Sequence, residues 1–227
     1  MNGVDVRAFS LGPLQTNCYV VRSGPTAAEA VVIDPGEEPQ RLESALTALG
    51  IERVRAILIT HCHFDHIGAV EPLARSLGVE VWCPAGEVEV LRNLPRFAPA
   101  GFGPFTGYDP DHTLAGGERL ELAGLRLSVL ATPGHAPAHL TYAIPHNPAG
   151  PPLLFCGDVL FQGSVGRTDL PGADWPTLER SLRTLVERFP PEAIVYPGHM
   201  GATTLGRELQ TNPFLQGIAT SAKPASR

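Results

Sequence analysis

The stretch Thr60-His61-Cys62-His63-Phe64-Asp65-His66 places three imidazoles and one carboxylate within six residues. Such close polar neighbours are costly unless something holds them together. Neutral imidazole and carboxylate oxygen are ordinary ligands of zinc and similar cations, so we interpret the stretch as a metal-binding loop. Cys62 falls between two of these ligands and is expected to point away from the metal. The alternative is a histidine-rich loop in contact with solvent.

The residues on either side predict where this loop lies in the fold. Residues 54–60 are mostly apolar and β-branched, which is typical of a buried strand. Residues 67–77 carry apolar side chains at helical spacing, with Pro72 in the first turns. The loop therefore follows the carboxyl end of a strand, where α/β proteins commonly carry their functional groups.

Composition limits the class of protein. A chain of 227 residues can form one α/β domain, which we assign to residues 1–219, with a small, polar and flexible tail at 220–227. The net charge of −6 gives no reason to expect a nucleic-acid partner. We expect no membrane span and no signal peptide, because no apolar stretch is long enough. Four cysteines without disulfide-type spacing indicate reduced thiols and a cytoplasmic location.

The rest of the chain alternates between strand and helix patterns. Strands are predicted at 4–9, 17–21, 30–34, 79–83, 118–122, 125–130, 140–144, 153–156 and 193–196, and helices at 39–49, 87–94 and 175–189. Residues 95–112 follow neither pattern and are rich in proline, glycine and aromatic residues. A loop of this length is usually functional. Phe102 and Phe105 are therefore predicted to line a substrate cleft or, alternatively, to cover the core.

Three further polar residues share the position of the 60–66 loop, just past the end of a predicted strand. They are His135, Asp158 and His199. Four strands thus deliver potential metal ligands at their carboxyl ends, and this recurrence is more specific than any single motif. Asp34 also ends a strand, and it either orients a ligand histidine or caps the turn that follows.

The other histidines and one tyrosine are given supporting roles. His139 is expected to pack against a ligand or to orient it. His112 and His146 are predicted to lie in solvated loops, and Tyr142 is predicted to belong to the core rather than to the catalytic site.

Together these motifs resemble the metallo-β-lactamase fold superfamily over nearly the whole chain. The defining stretches are His61-x-His63-x-Asp65-His66, Thr132-Pro133-Gly134-His135, Gly157-Asp158 and Pro197-Gly198-His199. Residues 11–19, 163–172, 203–206 and 212–215 are most similar to the glyoxalase II-like branch. Within it they resemble hydroxyacylglutathione hydrolases of the short bacterial type, without the C-terminal helical domain. The resemblance implies an α/β fold that forms a four-layer αββα sandwich, with the metals at one edge.

The resemblance also implies how the ligands divide between two metal ions. The first ion would be held by His61, His63 and His135 and the second by Asp65, His66 and His199, with Asp158 bridging both. Two such cations can share one water and lower its pKa toward neutrality, which makes hydroxide available at pH 7. Asp65 would ligate and also orient this hydroxide as the catalytic residue. Zinc is the expected metal, with iron and manganese as alternatives.

The expected reaction is hydrolysis of a small-molecule thioester, such as a hydroxyacyl-glutathione-type conjugate. A thiol with a pKa of about 8.5 leaves without a proton donor, whereas an amide nitrogen needs a general acid. Apart from the ligands, no such acid stands out. Arg167 matches a position where glyoxalase II-like enzymes commonly carry Lys or Arg. It is predicted to bind a substrate carboxylate or, alternatively, to pair with Asp169 or Asp174.

Other functions stay open at this point. A mononuclear iron persulfide dioxygenase of the same fold would use part of the same ligand set. A lactone or ester hydrolase would share the whole site, and a metal-stabilised protein without catalysis is a third class. Histidine at position 63 favours hydrolysis. The resemblance implies glutamate at this position in flavodiiron proteins of the same fold, and hard carboxylates suit iron–oxygen chemistry. The oligomeric state is left undetermined.

Overall fold

The computed structural model describes residues 3–145, 147 and 150–219. The predictions for His146 and for the tail at 220–227 concern residues outside this described part. The strands are β1 (Asp5–Leu11), β2 (Thr16–Arg22), β3 (Glu29–Ile33), β4 (Arg53–Leu58), β5 (Val81–Pro84), β6 (His112–Leu114), β7 (Arg119–Leu122), β8 (Leu125–Ala131), β9 (Leu140–Ile144), β10 (Leu153–Gly157), β11 (Leu160–Phe161), β12 (Ser164–Val165), β13 (Ile194–Pro197) and β14 (Thr203–Thr204).

The helices lie mainly between the strands of parallel pairs. They are α1 (Pro39–Ala48), α2 (Phe64–Ile67), α3 (Val70–Leu77), α4 (Val88–Arg92), α5 (Leu94–Phe97), α6 (Trp175–Arg188), α7 (Leu205–Thr211) and α8 (Gln216–Ala219). A 3₁₀ turn at Ala85–Glu87 links β5 to α4. Helix α1 connects the parallel strands β3 and β4, and α6 precedes β13, which pairs in parallel with β10.

Two six-stranded sheets make up the centre of the molecule. The first sheet has the order β1-β2-β3-β4-β5-β6 and the second has the order β14-β13-β10-β9-β8-β7. Strands β3 to β6 are parallel to one another, and β1 and β2 form an antiparallel hairpin at the edge. In the second sheet only β10 and β13 pair in parallel. Strands β11 and β12 form a separate small hairpin.

Successive residues of the inner strands face different apolar clusters, and this alternation produces four layers. Val20 belongs to the cluster that includes Leu42 of α1, whereas Val21 lies in the cluster between the two sheets. In β10, Phe155 faces the first sheet and Leu154 packs with the inner face of α6. Because side chains alternate along a strand, each sheet buries both of its faces. The α/β fold and the αββα sandwich predicted from the sequence are confirmed.

Strand direction explains why the predicted ligands meet. Strand β9 is antiparallel to both β8 and β10, so β8 and β10 run the same way, and β13 is parallel to β10. The carboxyl ends of these three strands therefore lie at one edge of the second sheet. The loop that follows β4 approaches the same edge from the first sheet, since Thr60 O accepts the N–H of Leu140 at 2.8 Å.

Residues 64–77 form two helices, whereas the sequence pattern predicts one helix over 67–77. Helix α2 ends at Ile67 and α3 begins at Val70. At the break, Ala69 N–H donates to Pro35 O at 3.1 Å, so a tertiary contact replaces a helical bond. Pro72 falls in the first turn of α3, where its missing N–H has no helical partner to lose.

The prediction that His112 lies in a solvated loop is wrong. His112 begins strand β6 and is half-buried, with its ring stacked on Trp82 at a centroid distance of 3.9 Å. Its Nε2 lies 3.1 Å from Glu80 Oε2. A strand of three residues is too short to show periodicity, and it exists because β5 offers it a partner.

Truncation of Phe155 tests the packing between the two sheets. Phe155 is fully buried and lies edge-on to Tyr19 and stacked on Tyr196. We expect Phe155→Ala to lower the free energy of unfolding by roughly 3–5 kcal/mol, because a large cavity forms between rigid sheets. Phe97, whose ring is half exposed, provides the control. The free energy of unfolding of Phe97→Ala, measured in urea, should stay within about 0.5 kcal/mol of that of the native protein. Equal losses in both variants would contradict this account of the core.

Candidate metal centre

All seven predicted ligands reach one edge of the sandwich. They come from four loops, which follow β4, β8, β10 and β13. His61, His63 and His135 form one group, and Asp65, His66 and His199 form a second; within each group the ligand atoms all lie within 4.8 Å of one another. Asp158 lies between the two groups.

The first group consists of imidazoles alone. His61 Nε2 lies 3.0 Å from His63 Nδ1, and His135 Nε2 lies 2.9 Å from the same atom. Two imidazole nitrogens on one tetrahedral zinc ion would be roughly 3.3 Å apart. The three nitrogens therefore face a common point at close to ligand spacing.

The second group mixes imidazole and carboxylate. Asp65 Oδ2 lies 3.3 Å from His199 Nε2 and 3.6 Å from His66 Nε2. Thr16 Oγ1 donates a hydrogen bond to the same oxygen at 2.7 Å, which fixes the orientation of the carboxylate. This set of one oxygen and two nitrogens suits zinc, iron or manganese.

Asp158 faces both groups at once. Its Oδ1 lies 3.3 Å from His66 Nε2, and its Oδ2 lies 3.5 Å from His135 Nε2 and from His199 Nε2. The carboxylate fits here because residue 198 is glycine. A Cβ on Gly198 would lie 2.1 Å from Asp158 Oδ1. The position matches that expected of a ligand shared between two ions.

Unpartnered atoms support a cation at this edge. His66 Nε2 and Asp158 Oδ1 are buried and lie 3.3 Å from each other, and neither atom makes a hydrogen bond of good geometry with any described residue. Buried polar atoms are normally satisfied, and a lone pair that faces a shared space is satisfied by a metal ion. The residues present thus fit the two-ion site that the motifs imply.

Burial keeps the first group uncharged. It holds the pKa of His61 well below its usual value and lowers that of His63 to about 4, and the neighbouring imidazoles add to both shifts. Burial also lowers the pKa of His135. All three rings are therefore neutral at pH 7, which is the form that binds a metal.

The carboxylates reverse this effect in the second group. Burial alone would lower the pKa of His66, but the charges of Asp158 and Asp65 raise it well above its usual value. Burial likewise opposes protonation of His199, whereas hydrogen bonds to Asp158 and Asp65 raise its pKa to about 9. The pKa of Asp65 would be raised by burial, but His66 brings it to about 2. Without a metal, protons on imidazole provide the positive charge that these carboxylates require.

Asp34 connects the backs of the two groups. Its carboxylate accepts hydrogen bonds from Thr60 Oγ1 at 2.6 Å and from His66 Nδ1 at 2.9 Å. Thr60 Oγ1 in turn lies 3.1 Å from His61 Nδ1 and accepts its proton. In both rings Nδ1 is engaged from behind and Nε2 faces the site. Of the two roles that the sequence left open for Asp34, the structure favours orientation of a ligand, since α1 begins only at Pro39.

His139, Cys62 and Tyr142 support the site without facing it. His139 is fully buried, accepts the N–H of Asp158 at 3.2 Å and stacks on the His61 ring. Cys62 points into the core, where its Sγ lies 3.6 Å from Cys83 Sγ. Tyr142 is also buried and donates to Ile59 O at 2.8 Å.

Two residues of β2, whose roles the sequence did not reveal, hold the loop of His199. Asn17 Nδ2 donates to Pro197 O at 3.0 Å and to Met200 O at 2.8 Å, on both sides of the histidine. Tyr19 Oη donates to Pro197 O at 2.6 Å. Both residues lie in the stretch 11–19 that carries the family resemblance. A periodicity argument could not find them, because their partners lie about 180 residues away.

The predicted substrate-contacting residues contact neighbours of the predicted ligands, and Phe105 also packs against the apolar core, as the alternative for it predicted. Phe102 lies 4.6 Å and Phe105 6.1 Å from the ring of Phe64, the residue that follows the ligand His63. Arg167 carries an exposed side chain that forms a two-pronged pair with Asp169 at 2.6 and 2.7 Å. Its backbone oxygen lies 2.9 Å from Nδ1 of the ligand His135. The pairing with Asp169, one of the two alternatives, is present.

In the part of the chain that the structure describes, no helix combines the length and the apolar character needed to cross a membrane.

The αββα sandwich, with histidines and aspartates gathered at one edge, assigns this protein to the class of metallo-hydrolases. The chain belongs to the metallo-β-lactamase superfamily, whose family model matches residues 11–199.

Individual relatives extend the match to nearly full length. The hydroxyacylglutathione hydrolase GloC of Haemophilus influenzae is 35% identical over 215 residues, which cover 93% of this chain and 98% of that protein. Among solved structures, the BLEG-1 B3 metallo-beta-lactamase has a TM-score of 0.84 at 37% identity and covers 94% of this chain and 100% of its own. TTHA1623 in a di-iron-bound form has a TM-score of 0.71 at 41% identity and covers 92% of this chain and 100% of its own.

Removal of the Asn17 amide tests its control over the His199 loop. We expect Asn17→Ala to weaken binding of the second metal equivalent on the order of 10-fold, because Met200 O loses the amide donor and Pro197 O keeps only Tyr19. Titration of metal-free protein with Zn²⁺ against a chromophoric chelator measures this. Asn93→Ala, between helices α4 and α5 with its amide bonded to Glu89, is the matched control. An unchanged affinity for the second Zn²⁺ ion in Asn17→Ala would show that the loop keeps its position without the amide.

Proposed function

We propose that this protein is a dinuclear metal-dependent hydrolase that cleaves a small-molecule thioester of the hydroxyacyl-glutathione type. The observation that carries the proposal is the position of Asp158 within 3.5 Å of ligand nitrogens from both groups. A carboxylate placed in this way can hold two ions at the short separation at which they act on one water. Neither group requires a residue from outside the chain.

The bound ions would supply Lewis acidity, which acidifies a water molecule and polarises a carbonyl group. The other steps fall to the residues of the chain. Asp65 is ionised at neutral pH, since its pKa is about 2, and its Oδ2 accepts one hydrogen bond from Thr16. The carboxylate can therefore accept a hydrogen bond from the attacking water. This bond would turn a lone pair of the water oxygen toward the substrate. Asp65 thus orients the nucleophile in addition to serving as a ligand.

A thioester is favoured because of its leaving group. The predicted ligands would be occupied by the metal ions and would not serve as general acids. A thiolate leaves without protonation, whereas an amine does not. The name of the Haemophilus influenzae relative, a hydroxyacylglutathione hydrolase, points to the same bond.

Zinc is our first choice of metal, and iron is the main alternative. Three neutral imidazoles are borderline ligands that accept either ion, and availability decides between them. The relative TTHA1623 was crystallised in a di-iron-bound form. A persulfide dioxygenase would need only one iron, so two complete ligand groups favour hydrolysis. We keep lactone and ester hydrolysis as alternatives of the same reaction class.

The substrate would lie between an aromatic wall and a positive charge. The rings of Phe64, Phe102 and Phe105 form one cluster that includes the residue next to His63, and such a cluster would suit an apolar acyl chain. Arg167 lies on the loop behind His135 and is exposed, so it can exchange Asp169 for a substrate carboxylate. Recognition of an anionic thiol half would rest on this exchange.

Metal removal and a thioester panel test the proposal directly. We expect about two metal ions per chain by elemental analysis, hydrolysis of thioesters but not of β-lactams, and complete loss of turnover with chelator. Asp158→Ala should lose metal and nearly all activity, since both ions depend on this carboxylate. Asp109→Ala, an exposed aspartate paired with Arg92, is the control. Full activity of Asp158→Ala, or one iron with oxygen uptake, would rule the proposal out.

The role of Arg167 has its own test. Arg167→Ala should raise KM on the order of 10-fold for an anionic thioester and leave KM for a neutral one nearly unchanged, because only the former loses an ion pair. Arg126→Ala, a fully exposed arginine on β8, controls for net charge. Equal effects on both substrates would remove Arg167 from substrate recognition.

A further inference from the structure

Glu87 is a buried carboxylate that joins two of the ligand loops. It lies in the 3₁₀ turn after β5 and is 4% exposed. Its Oε2 accepts the N–H of Cys62 at 2.5 Å, and its Oε1 accepts the N–H of Ala138 at 3.1 Å. Cys62 lies between the ligands of the first loop, and Ala138 lies three residues after His135.

The surrounding backbone is packed tightly enough to make this connection rigid. Gly86 lies directly against the loop of His135, since a Cβ on Gly86 would lie 2.8 Å from Ala138 Cβ. On the other side, Cys62 Sγ touches Cys83 Sγ at the end of β5. The turn therefore lies between the two loops and contacts both.

The charge of Glu87 has no obvious structural use. In the described residues its hydrogen-bond donors are two backbone N–H groups, and no cationic side chain pairs with it. Burial raises the pKa of Glu87, while the N–H groups of Cys62 and Ala138 oppose the rise. A buried carboxylate without a cationic partner destabilises a fold. Glutamine, the neutral side chain of the same size, could accept only one of the two N–H groups.

We infer that Glu87 is a positioning residue for the first metal group. One carboxylate fixes the backbone beside His61 and His63 and the backbone that follows His135, and so sets the spacing between these ligands. The inference rests on the metal-binding part of the proposed function and adds a residue that does not itself ligate.

Metal titration of isolated first-group sites tests the inference. The variant Glu87→Gln is made in a His199→Ala background, which removes a ligand of the second group and leaves the three imidazoles intact. Glutamine keeps the size but turns an amide N–H₂ toward one of the backbone N–H groups and removes the charge. Glu89→Gln, an exposed glutamate two residues further on, is the matched control. Metal-free proteins are titrated with Co²⁺, and absorption in the visible range reports ligand geometry.

We expect Glu87→Gln to weaken Co²⁺ binding about 10- to 100-fold and to alter the visible spectrum, with Glu89→Gln unchanged. Urea unfolding of the metal-free proteins separates this effect from a loss of fold. Unchanged affinity in a folded Glu87→Gln variant overturns the inference. If Glu87→Gln does not fold, Glu87→Asp is titrated instead, since it keeps the charge but is too short to reach both loops. Native affinity in Glu87→Asp, or failure of both variants to fold, assigns Glu87 to stability alone.

The same experiment separates this inference from the proposed function. The native protein is titrated alongside, and no thioester is used. If native protein binds no metal, the proposed function fails. If it binds metal and the Glu87 variants bind equally well, only the role of Glu87 fails.

Discussion

Electrostatics at the junction of the two sheets is the constraint on which this structure depends. Five imidazoles and two carboxylates are brought together at one edge, and most of them are buried. Such a cluster is stable only when positive charge balances its carboxylates. In the metal-free protein the protons of His66 and His199 provide that charge, and a pair of divalent cations would replace them.

The ligands keep their geometry because the ligand loops are tied from behind. Asp34 and Thr60 connect the backs of His61 and His66, and Asn17 holds the carbonyls around His199. The backbone oxygen of Arg167 engages His135. These contacts cross between strands and between the two sheets. Packing of the sandwich and preorganisation of the site are therefore coupled, and loss of one tie disturbs the ligand it supports.

The residues that could bind metal and the residues around them contribute differently to function. A relative with 37% identity and the same fold is a B3 metallo-beta-lactamase, and another with 35% identity is a hydroxyacylglutathione hydrolase. A shared metal edge therefore does not decide which bond is cleaved. In the proposed function the deciding features would be the aromatic cluster around Phe64 and the Arg167–Asp169 pair. Phe102, Arg167 and Asp169 lie on loops, which vary more readily than the strands beneath them.

The sequence by itself predicted an α/β fold and a set of candidate ligands, and the family resemblance added the four-layer arrangement. Strand and helix periodicities are local, and a histidine or aspartate after each of four apolar strands identifies a common edge. The break between α2 and α3, the short strand β6 at His112 and the supporting roles of Asn17 and Glu87 were decided only by tertiary structure. Each depends on a hydrogen bond or strand pairing to a residue distant in the chain, for which local pattern carries no signal. Asp34 is a further example. Its position after a strand permitted either a turn cap or an orienting role, and its hydrogen bond with His66 favours the second.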